Sequence, residues 1–333
     1  MILTAAVVGH LCADLHPELA GDEQIVPGAL VEVGPLTITP GGCVANTGRD
    51  LFSLGAPVRL VADVGDDELG SSLIHLLSES GPDCERIRSL SGAATAYSLV
   101  FEPPGEDRAF WHHVGANASF DGARVQPEQV DLVHVGYPAL LPAMYAAGGK
   151  SLQRLLARVR QSGATTSLDL STVAVGSPAD RVDWAELLAR TVPLVDVLSP
   201  SVDDVVSALH LARPASRGET VELARHVLGL GAAAVLLTDG ARGMHLLTAR
   251  ADRFAEAGRC LGERAEAWAD REFFLPASPS RRATTTGAGD AATAGLLYGV
   301  LSGASAGEAV ATAAKLAAFK VGGGGQPPSV KAP

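Results

Sequence analysis

Thr284-Thr285-Thr286-Gly287-Ala288-Gly289-Asp290 leads directly into an apolar run, Ala291 to Val300, and the junction between the two decides how the rest of the chain is read. The run after Asp290 is helical in composition, so the Gly-Ala-Gly triplet sits where a loop becomes a helix. The first N–H groups of a helix have no intrahelical partner, and the helix dipole adds partial positive charge at that end. Glycines there let a phosphate oxygen approach the backbone closely. A carboxylate beside an anion site is repelled by the anion unless it has chemistry to do. General-base work fits: Asp290 can take the proton of a substrate hydroxyl as that oxygen attacks a γ-phosphorus. The N–H groups of Gly287, Ala288 and Gly289 would stabilise charge on the transferring group. The alternative is a glycine-rich loop followed by an ordinary Asp at a helix N-terminus.

Working outward, the chain alternates strand and helix. Residues 2–8 form a short apolar run ended by Gly9, as a buried strand does. A helix from Val44 to Leu54 closes at Gly55, Val58 to Val64 is a strand, and Asp66 or Asp67 caps a helix that stops at Gly81. Further strands are expected at Leu132–Val135, Thr165–Leu170, Leu194–Leu198 and Ala233–Thr238, with helices at Ser151–Gln161, Ser201–Leu211 and Val221–Leu228. Such alternation implies βαβ units and a parallel sheet. Residues 247–283 carry weaker signals, a helix end at Ala265–Trp268 and a strand at Phe273–Leu275. Two helices close the chain, the last opened by a Ser305/Glu308 capping box.

Two segments break the rhythm. Residues 15–40 are punctuated by Pro and Gly, with apolar stretches at Ile25-Val26, Leu30-Val31 and Leu36 to Ile38. Ala94–Glu102 and Arg108–His113 flank the turn-rich tip Pro103-Pro104-Gly105-Glu106-Asp107 and read as a hairpin. Together these segments are expected to form a small separate sheet.

Composition narrows the function. The 333 residues are 47% hydrophobic and 19% charged, which suits one globular α/β domain with an appendage. A net charge of −11 excludes broad nucleic-acid affinity, which needs clustered Lys and Arg. Cys12, Cys43, Cys84 and Cys260 are widely spaced and form no CxxC pair, so reduced thiols in a cytoplasmic protein are expected. MILTAAVVGH lacks a basic n-region, and no apolar run reaches about eighteen residues, so neither a signal peptide nor a membrane span is expected. Gly9 to Asp14 reads GHLCAD, not the GxGxxG of a dinucleotide fold. Gly149-Lys150-Ser151 imitates the end of a Walker A motif, but Met144 stands where its first Gly belongs.

With these residues in view, the sequence resembles the ribokinase-like (PfkB) carbohydrate kinase family over nearly its whole length. TTGAGDAATAG is similar to that family's C-terminal signature. Gly41-Gly42-Cys43-Val44-Ala45-Asn46, with Leu54-Gly55-Ala56 and Val64-Gly65-Asp66-Asp67-Glu68-Leu69-Gly70, is similar to its N-terminal one. The resemblance implies a doubly wound, mostly parallel sheet with helices on both faces, and a small β-sheet lid made from residues near 15–40 and 94–115. It also implies ATP, Mg²⁺ and phosphorylation of an alcohol, often a primary one. Asp290 then matches the catalytic base, and Gly287 and Gly289 the anion hole. Asp14 matches a carboxylate that holds substrate hydroxyls, Gly41 and Gly42 the hinge and substrate-contact pair, and Asn46 a substrate amide.

The nucleotide side carries departures. Thr238-Asp239-Gly240-Ala241-Arg242-Gly243 resembles the nucleotide-binding TxGxxG segment, although a strand ending in a Gly turn is common. Thr286 belongs to the same expected nucleotide site. Ser201 and Asp204 replace the family's Asn and Glu, which organise phosphate and magnesium; a plain helix cap is the competing reading. Ala313 and Ala314 leave room for adenine, or simply pack two helices. Thr284 stands where the family usually has an Asp that helps hold a monovalent cation, so potassium activation is expected to be weak or absent. On the lid hairpin, alternation puts Phe110 and His112 on one face and Trp111 and His113 on the other; His113 and Asn117 are the candidates for substrate contact. Exposed lid edges imply a homodimer. The acceptor class stays open among sugar, sugar acid and nucleoside, as does a catalytically weak relative that only binds a ligand. Low aromatic content, 5%, disfavours a nucleoside pocket, where stacking is useful.

Overall fold

Alternating burial along Ala5–Gly9 sets the architecture: Ala5 and Val7 enter one hydrophobic core, Ala6 and Val8 another, so the strand is covered on both sides. The computed structural model describes residues 3–19, 21, 27–28, 30–102, 109–278 and 287–323. In chain order, β1 (Ala5–Gly9) is followed by β2 (Cys12–Pro17), β3 (Leu36–Gly41), α1 (Gly42–Ser53), β4 (Val58–Gly65), α2 (Glu68–Glu79) and β5 (Asp83–Leu90). Next come β6 (Tyr97–Phe101), β7 (Ala109–His113), β8 (Leu132–Gly136), α3 (Pro142–Gln161), β9 (Thr165–Asp169) and α4 (Trp184–Thr191). Then follow β10 (Val197–Leu198), α5 (Val202–Leu209), α6 (Arg217–Gly229) and β11 (Ala234–Thr238). The chain closes with β12 (Met244–Thr248), α7 (Ala251–Ala255), α8 (Ala265–Trp268), β13 (Glu272–Leu275), α9 (Ala288–Ser302) and α10 (Ala306–Val321).

Among the described residues the large sheet has nine strands, ordered β13-β12-β11-β10-β9-β8-β1-β4-β5. From β5 to β11 the pairings are parallel, while β12 runs antiparallel to both β11 and β13. α1, α2, α9 and α10 pack on one face; α3, α4, α5 and α6 pack on the other. This is the doubly wound, ribokinase-like arrangement. The strand order reverses around β1, which pairs with both β4 and β8, and such a reversal opens a crevice beyond the carboxyl ends of the strands.

β12 is the strand that sequence alternation did not supply. Its five residues are all buried, and they return from β11 through a tight turn rather than through a crossover helix. α9 is apolar on every side because it is buried on every side. It lies close against α10: a Cβ on Gly295 would fall 2.6 Å from the Ala313 Cα. That contact gives Ala313 to helix packing, while Ala314 is partly buried against the same core.

A second sheet, ordered β3-β2-β6-β7, stands apart from the first. β2 begins at Cys12, earlier than expected, and Leu30-Val31 form no strand, Leu30 being 99% exposed. Ile25-Val26 and the expected hairpin tip lie outside the described residues. All four cysteines are free. No helix among the described residues is long and apolar enough to cross a membrane.

Candidate active site

Gly287 ends the loop before α9 with φ +73°, a left-handed conformation that glycine adopts without penalty, and serves as the helix N-cap. No side chain among the described residues caps this terminus, and nothing stands within 4 Å of where a Gly289 Cβ would point. Among the described residues, then, no side chain takes up the first-turn N–H groups, which is what an anion cradle requires. Ala288 is half-buried and Gly289 exposed beside them.

Asp290 lies one step inside the same turn and is only 3% exposed. Three side chains hold it. Asn46 Nδ2 donates to Oδ2 at 3.0 Å and Thr47 Oγ1 to Oδ1 at 3.1 Å, both from α1. The Tyr137 hydroxyl donates to both oxygens at 2.8 Å, from the turn after β8. Burial pushes the Asp290 carboxyl up to about 6; the three donors, Tyr137 first, pull against that by favouring the charged form, and the nearby Asp50 charge adds to the rise. At neutral pH the group is mostly ionised. A carboxylate offers about four lone-pair sites, and the three donors make four contacts, two on each oxygen, so a further hydroxyl would have to replace one arm of the shared Tyr137 hydrogen bond.

Tyr137 was not anticipated from the sequence. It is a non-glycine residue in the left-handed region (φ 63°, ψ 52°), a strained placement of the kind found at functional sites. Burial and then the Asp290 and Asp169 charges hold its hydroxyl well above the usual tyrosine range, so it stays a donor. The signal that would have found it is its place directly after Gly136, at the carboxyl end of a parallel strand beside the switch point. Gly136 also lets Cys43 pack against its Cα, which brings α1 near enough to β8 for Asn46, Thr47 and Tyr137 to meet on one carboxylate.

The other expected acceptor residues lie nearby in the fold. Asp14, on β2, is 8% exposed and lies against the Gly41–Gly42 junction that opens α1, with Cys12 Sγ 3.3 Å from its Oδ1. His10, at the end of β1, reaches across to the small sheet: its Nε2 is 3.4 Å from His112 Nε2, and His112 Nδ1 is 3.1 Å from Ser98 Oγ. Burial, then the neighbouring imidazole, lowers His10 well below the usual histidine value; burial, then His113, lowers His112 to about 4. Both rings are therefore neutral at pH 7.

The structure places the two lid candidates as follows. His113 points to the face opposite Asp14 and packs against Tyr97, with ring centroids 5.3 Å apart; His112 is the histidine on the Asp14 face. Asn117 is fully buried and holds the backbone of Leu11: Nδ2 donates to the Leu11 carbonyl at 2.9 Å, and the Leu11 N–H reaches Oδ1 at 3.4 Å. Its amide thus ties down the link between β1 and β2.

On the nucleotide side, Ser201 and Asp204 form a capping box at the start of α5. Asp204 Oδ2 accepts from the Ser201 N–H at 2.8 Å and Oδ1 from Thr172 Oγ1 at 3.1 Å, and burial raises its carboxyl. The helix-cap reading therefore describes this pair. Thr238 ends β11 and bridges to Ser201. The following turn, through Gly240 and Gly243, is ordered by the buried Asp239, which binds Arg213, Arg242 and Thr220. Asp169, at the end of β9, is raised by burial and then by the charges of Asp290 and Asp204. Among the described residues no three His, Cys, Asp or Glu side chains converge to hold a metal ion. Thr284 and Thr286 lie outside the described residues.

Comparison with known proteins adds to this geometry. The model of the pfkB family of carbohydrate kinases matches residues 3–332. The bifunctional protein HldE of Hyphomonas neptunium is 26% identical over 289 residues, 86% of this chain and 53% of its own length, so the chain spans about half of that relative. The aminoimidazole riboside kinase of Salmonella typhimurium is 24% identical over 78% of this chain and 73% of its own. Among solved structures, Arabidopsis thaliana ribokinase complexed with ribose and ATP superposes with a TM-score of 0.72 at 20% identity, covering 99% of this chain and 96% of that one.

Proposed function

Because this chain belongs to the pfkB family of carbohydrate kinases, we propose that it transfers the γ-phosphoryl group of ATP to a primary hydroxyl of a sugar-like acceptor. The observation that carries this reading is the pairing of an open, uncapped helix terminus at Gly287–Gly289 with an ionised, three-donor carboxylate at Asp290.

The acceptor lies between Asp14 and Asp290, its hydroxyl donating to the Asp290 carboxylate in place of one arm of the shared Tyr137 hydrogen bond. As the acceptor oxygen bonds to the γ-phosphorus, its proton passes to Asp290 and the bond from phosphorus to the β-phosphate oxygen breaks, ADP leaving with the electron pair. The N–H groups of Gly287, Ala288 and Gly289 bind the phosphoryl oxygens, on which charge is greatest in the transition state. Thr238, Gly240 and Gly243, with Thr286 and Ala314, line the nucleotide side. Mg²⁺ would neutralise phosphate charge, and Asp204 is the carboxylate that would hold it in this assignment.

The small sheet acts as a lid over the acceptor, with His112 rather than His113 on its inner face. The opposite face exposes Leu36, Ile38 and Trp111, which supports pairing of two lids in a homodimer. A nucleoside acceptor is the second reading, supported by the riboside specificity in the name of one relative.

The test is ADP release over a panel of sugars, sugar acids and nucleosides, with Asp290→Asn as the control. Turnover on at least one alcohol, lost in the control, is expected. ATP binding without turnover on any acceptor would instead support a ligand-binding relative.

A further inference from the structure

Lys320 occupies the last turn of α10 and is about one-third exposed. A lysine suits a helix C-terminus because its charge complements the dipole there. That explains its place in the helix but not its direction. Its side chain runs to the opposite terminus of the neighbouring helix: a Cβ on Gly287 would lie 3.2 Å from Lys320 Cε, closer than any other atom, with Asn46 next at 3.7 Å. Lys320 Nζ is 3.4 Å from Asp50 Oδ1, and Asp50 stands one turn beyond Asn46 on α1, whose amide binds Asp290. The side chain thus reaches the Gly287 end of the anion cradle, with its ammonium on Asp50.

The Lys320–Asp50 contact is a poor end in itself. At 3.4 Å it is long for a charge-assisted hydrogen bond. The second Asp50 oxygen is buried without a partner, and burial raises the carboxyl despite Lys320. An ammonium carries three donors, of which one is used among the described residues. Meanwhile Asp290, Asp50 and Asp169 surround a site meant for a polyanion, in a chain of net charge −11.

We propose that Lys320 is a phosphate-binding residue: on nucleotide binding its ammonium leaves Asp50 for an oxygen of the terminal phosphoryl group, supplying positive charge beside the Gly287–Gly289 N–H groups. The inference rests on the kinase reading above and names a residue for it. Weak or absent potassium activation, expected from Thr284, would follow from such a tethered cation as well.

The test compares Lys320→Met, Lys320→Arg, Lys320→Ala and, as a charge control, Lys315→Met on the exposed side of the same helix. Loss of one preorganised charged donor predicts a fall in kcat of about 100-fold in Lys320→Met, with acceptor KM changed by less than about threefold. Lys320→Arg keeps the charge and should stay within about tenfold of wild type, and Lys315→Met should equal wild type. Lys320→Ala should regain activity several-fold with K⁺ or methylammonium at constant ionic strength, while wild type is unmoved. A merely structural tie predicts a lower melting temperature and no rescue.

A folded Lys320→Met with wild-type kcat, while Asp290→Asn is inactive, overturns the role of Lys320 and leaves the kinase reading standing; activity in Asp290→Asn overturns that reading instead. If no acceptor is found, calorimetric binding decides. Lys320→Met should weaken ATP by about tenfold and leave AMP unchanged, and equal losses for both refute the proposal.

Discussion

Replacing Tyr137 by Phe removes one hydroxyl and leaves the ring in place, and the consequence can be worked out from the site. That hydroxyl donates to both Asp290 oxygens at 2.8 Å and is the strongest of three donors that oppose the rise caused by burial. Donors to the charged form lower a carboxyl pKa, so removing one must raise it. A hydrogen bond to a charged group contributes about 1.5–3 kcal/mol, and one pKa unit corresponds to about 1.4 kcal/mol. Because one hydrogen is shared between two oxygens, the low end applies, a rise of about one unit. The acidic limb of kcat/KM should then move from about pH 6 in wild type to about pH 7 in the variant. At pH 6 the ionised fraction falls from about one half to about one tenth, a fivefold loss, while at pH 8 the two enzymes nearly coincide. The assay is initial-rate ADP release at subsaturating acceptor from pH 5 to 9. A limb that stays put, or a loss equal at every pH, would refute the argument and make Tyr137 an acceptor contact rather than a positioning residue.

The same carboxyl links activity to stability. Its value is raised from 3.8 to about 6 in the folded state, so the associated stability is full below about pH 4 and lost as pH rises through 6. At pH 8 the buried charge costs about 3 kcal/mol, so inactive Asp290→Asn should melt a few degrees above wild type there and no higher at pH 4; equal melting at both pH values counts against the burial. His112→Ala should raise acceptor KM about tenfold and His113→Ala less than twofold, since one hydrogen-bonding side chain faces the acceptor and the other does not; the reverse order would invert the lid faces. Trp111→Glu places a charge on the exposed apolar lid face and should convert a homodimer to monomer by light scattering, with an unchanged mass arguing against lid pairing.

The large sheet was legible because buried parallel strands are short apolar runs with helices between them, and helix starts carry chemical markers. Asp67 accepts from the Gly70 N–H and Ser305 pairs with Glu308, as their spacing implies. β12 was not legible: it returns through a turn, whereas alternation leads one to expect a helix after every strand. Signature motifs located Asp290, Asn46 and the Gly287–Gly289 turn. Tyr137 lies more than 150 positions from Asp290, and only the pairing of β1 with β8 brings it to the carboxylate. His112 and His113 illustrate another limit: alternation separates them onto two faces, but which face looks inward depends on the register of β7 against β6 and β2. Asn117 has the chemistry of a ligand contact, and the structure also gives it a buried backbone to hold, a demand that sequence does not reveal.

A nucleotide site beside its own carboxylates, as proposed, sets an acidic chain an electrostatic problem, and the structure bears on it in two ways. Asp290, Asp169 and Asp204 are all raised by burial, so each is less firmly ionised than an exposed carboxylate, and the field opposing phosphate is weaker than the sequence suggests. Attraction then comes from a few groups around α9 rather than from the net charge of the chain. The α9 terminus contributes partial charges through its N–H groups. Lys320 is held in reserve on Asp50 and carries its full charge to the phosphate only when one arrives. Affinity for nucleotide should therefore depend less on the net charge of the protein than on the geometry of residues 287–290. Changing surface Lys or Arg residues away from α9 and α10 should leave it nearly unaltered, because exposed charges beyond about 10 Å are screened at ordinary salt.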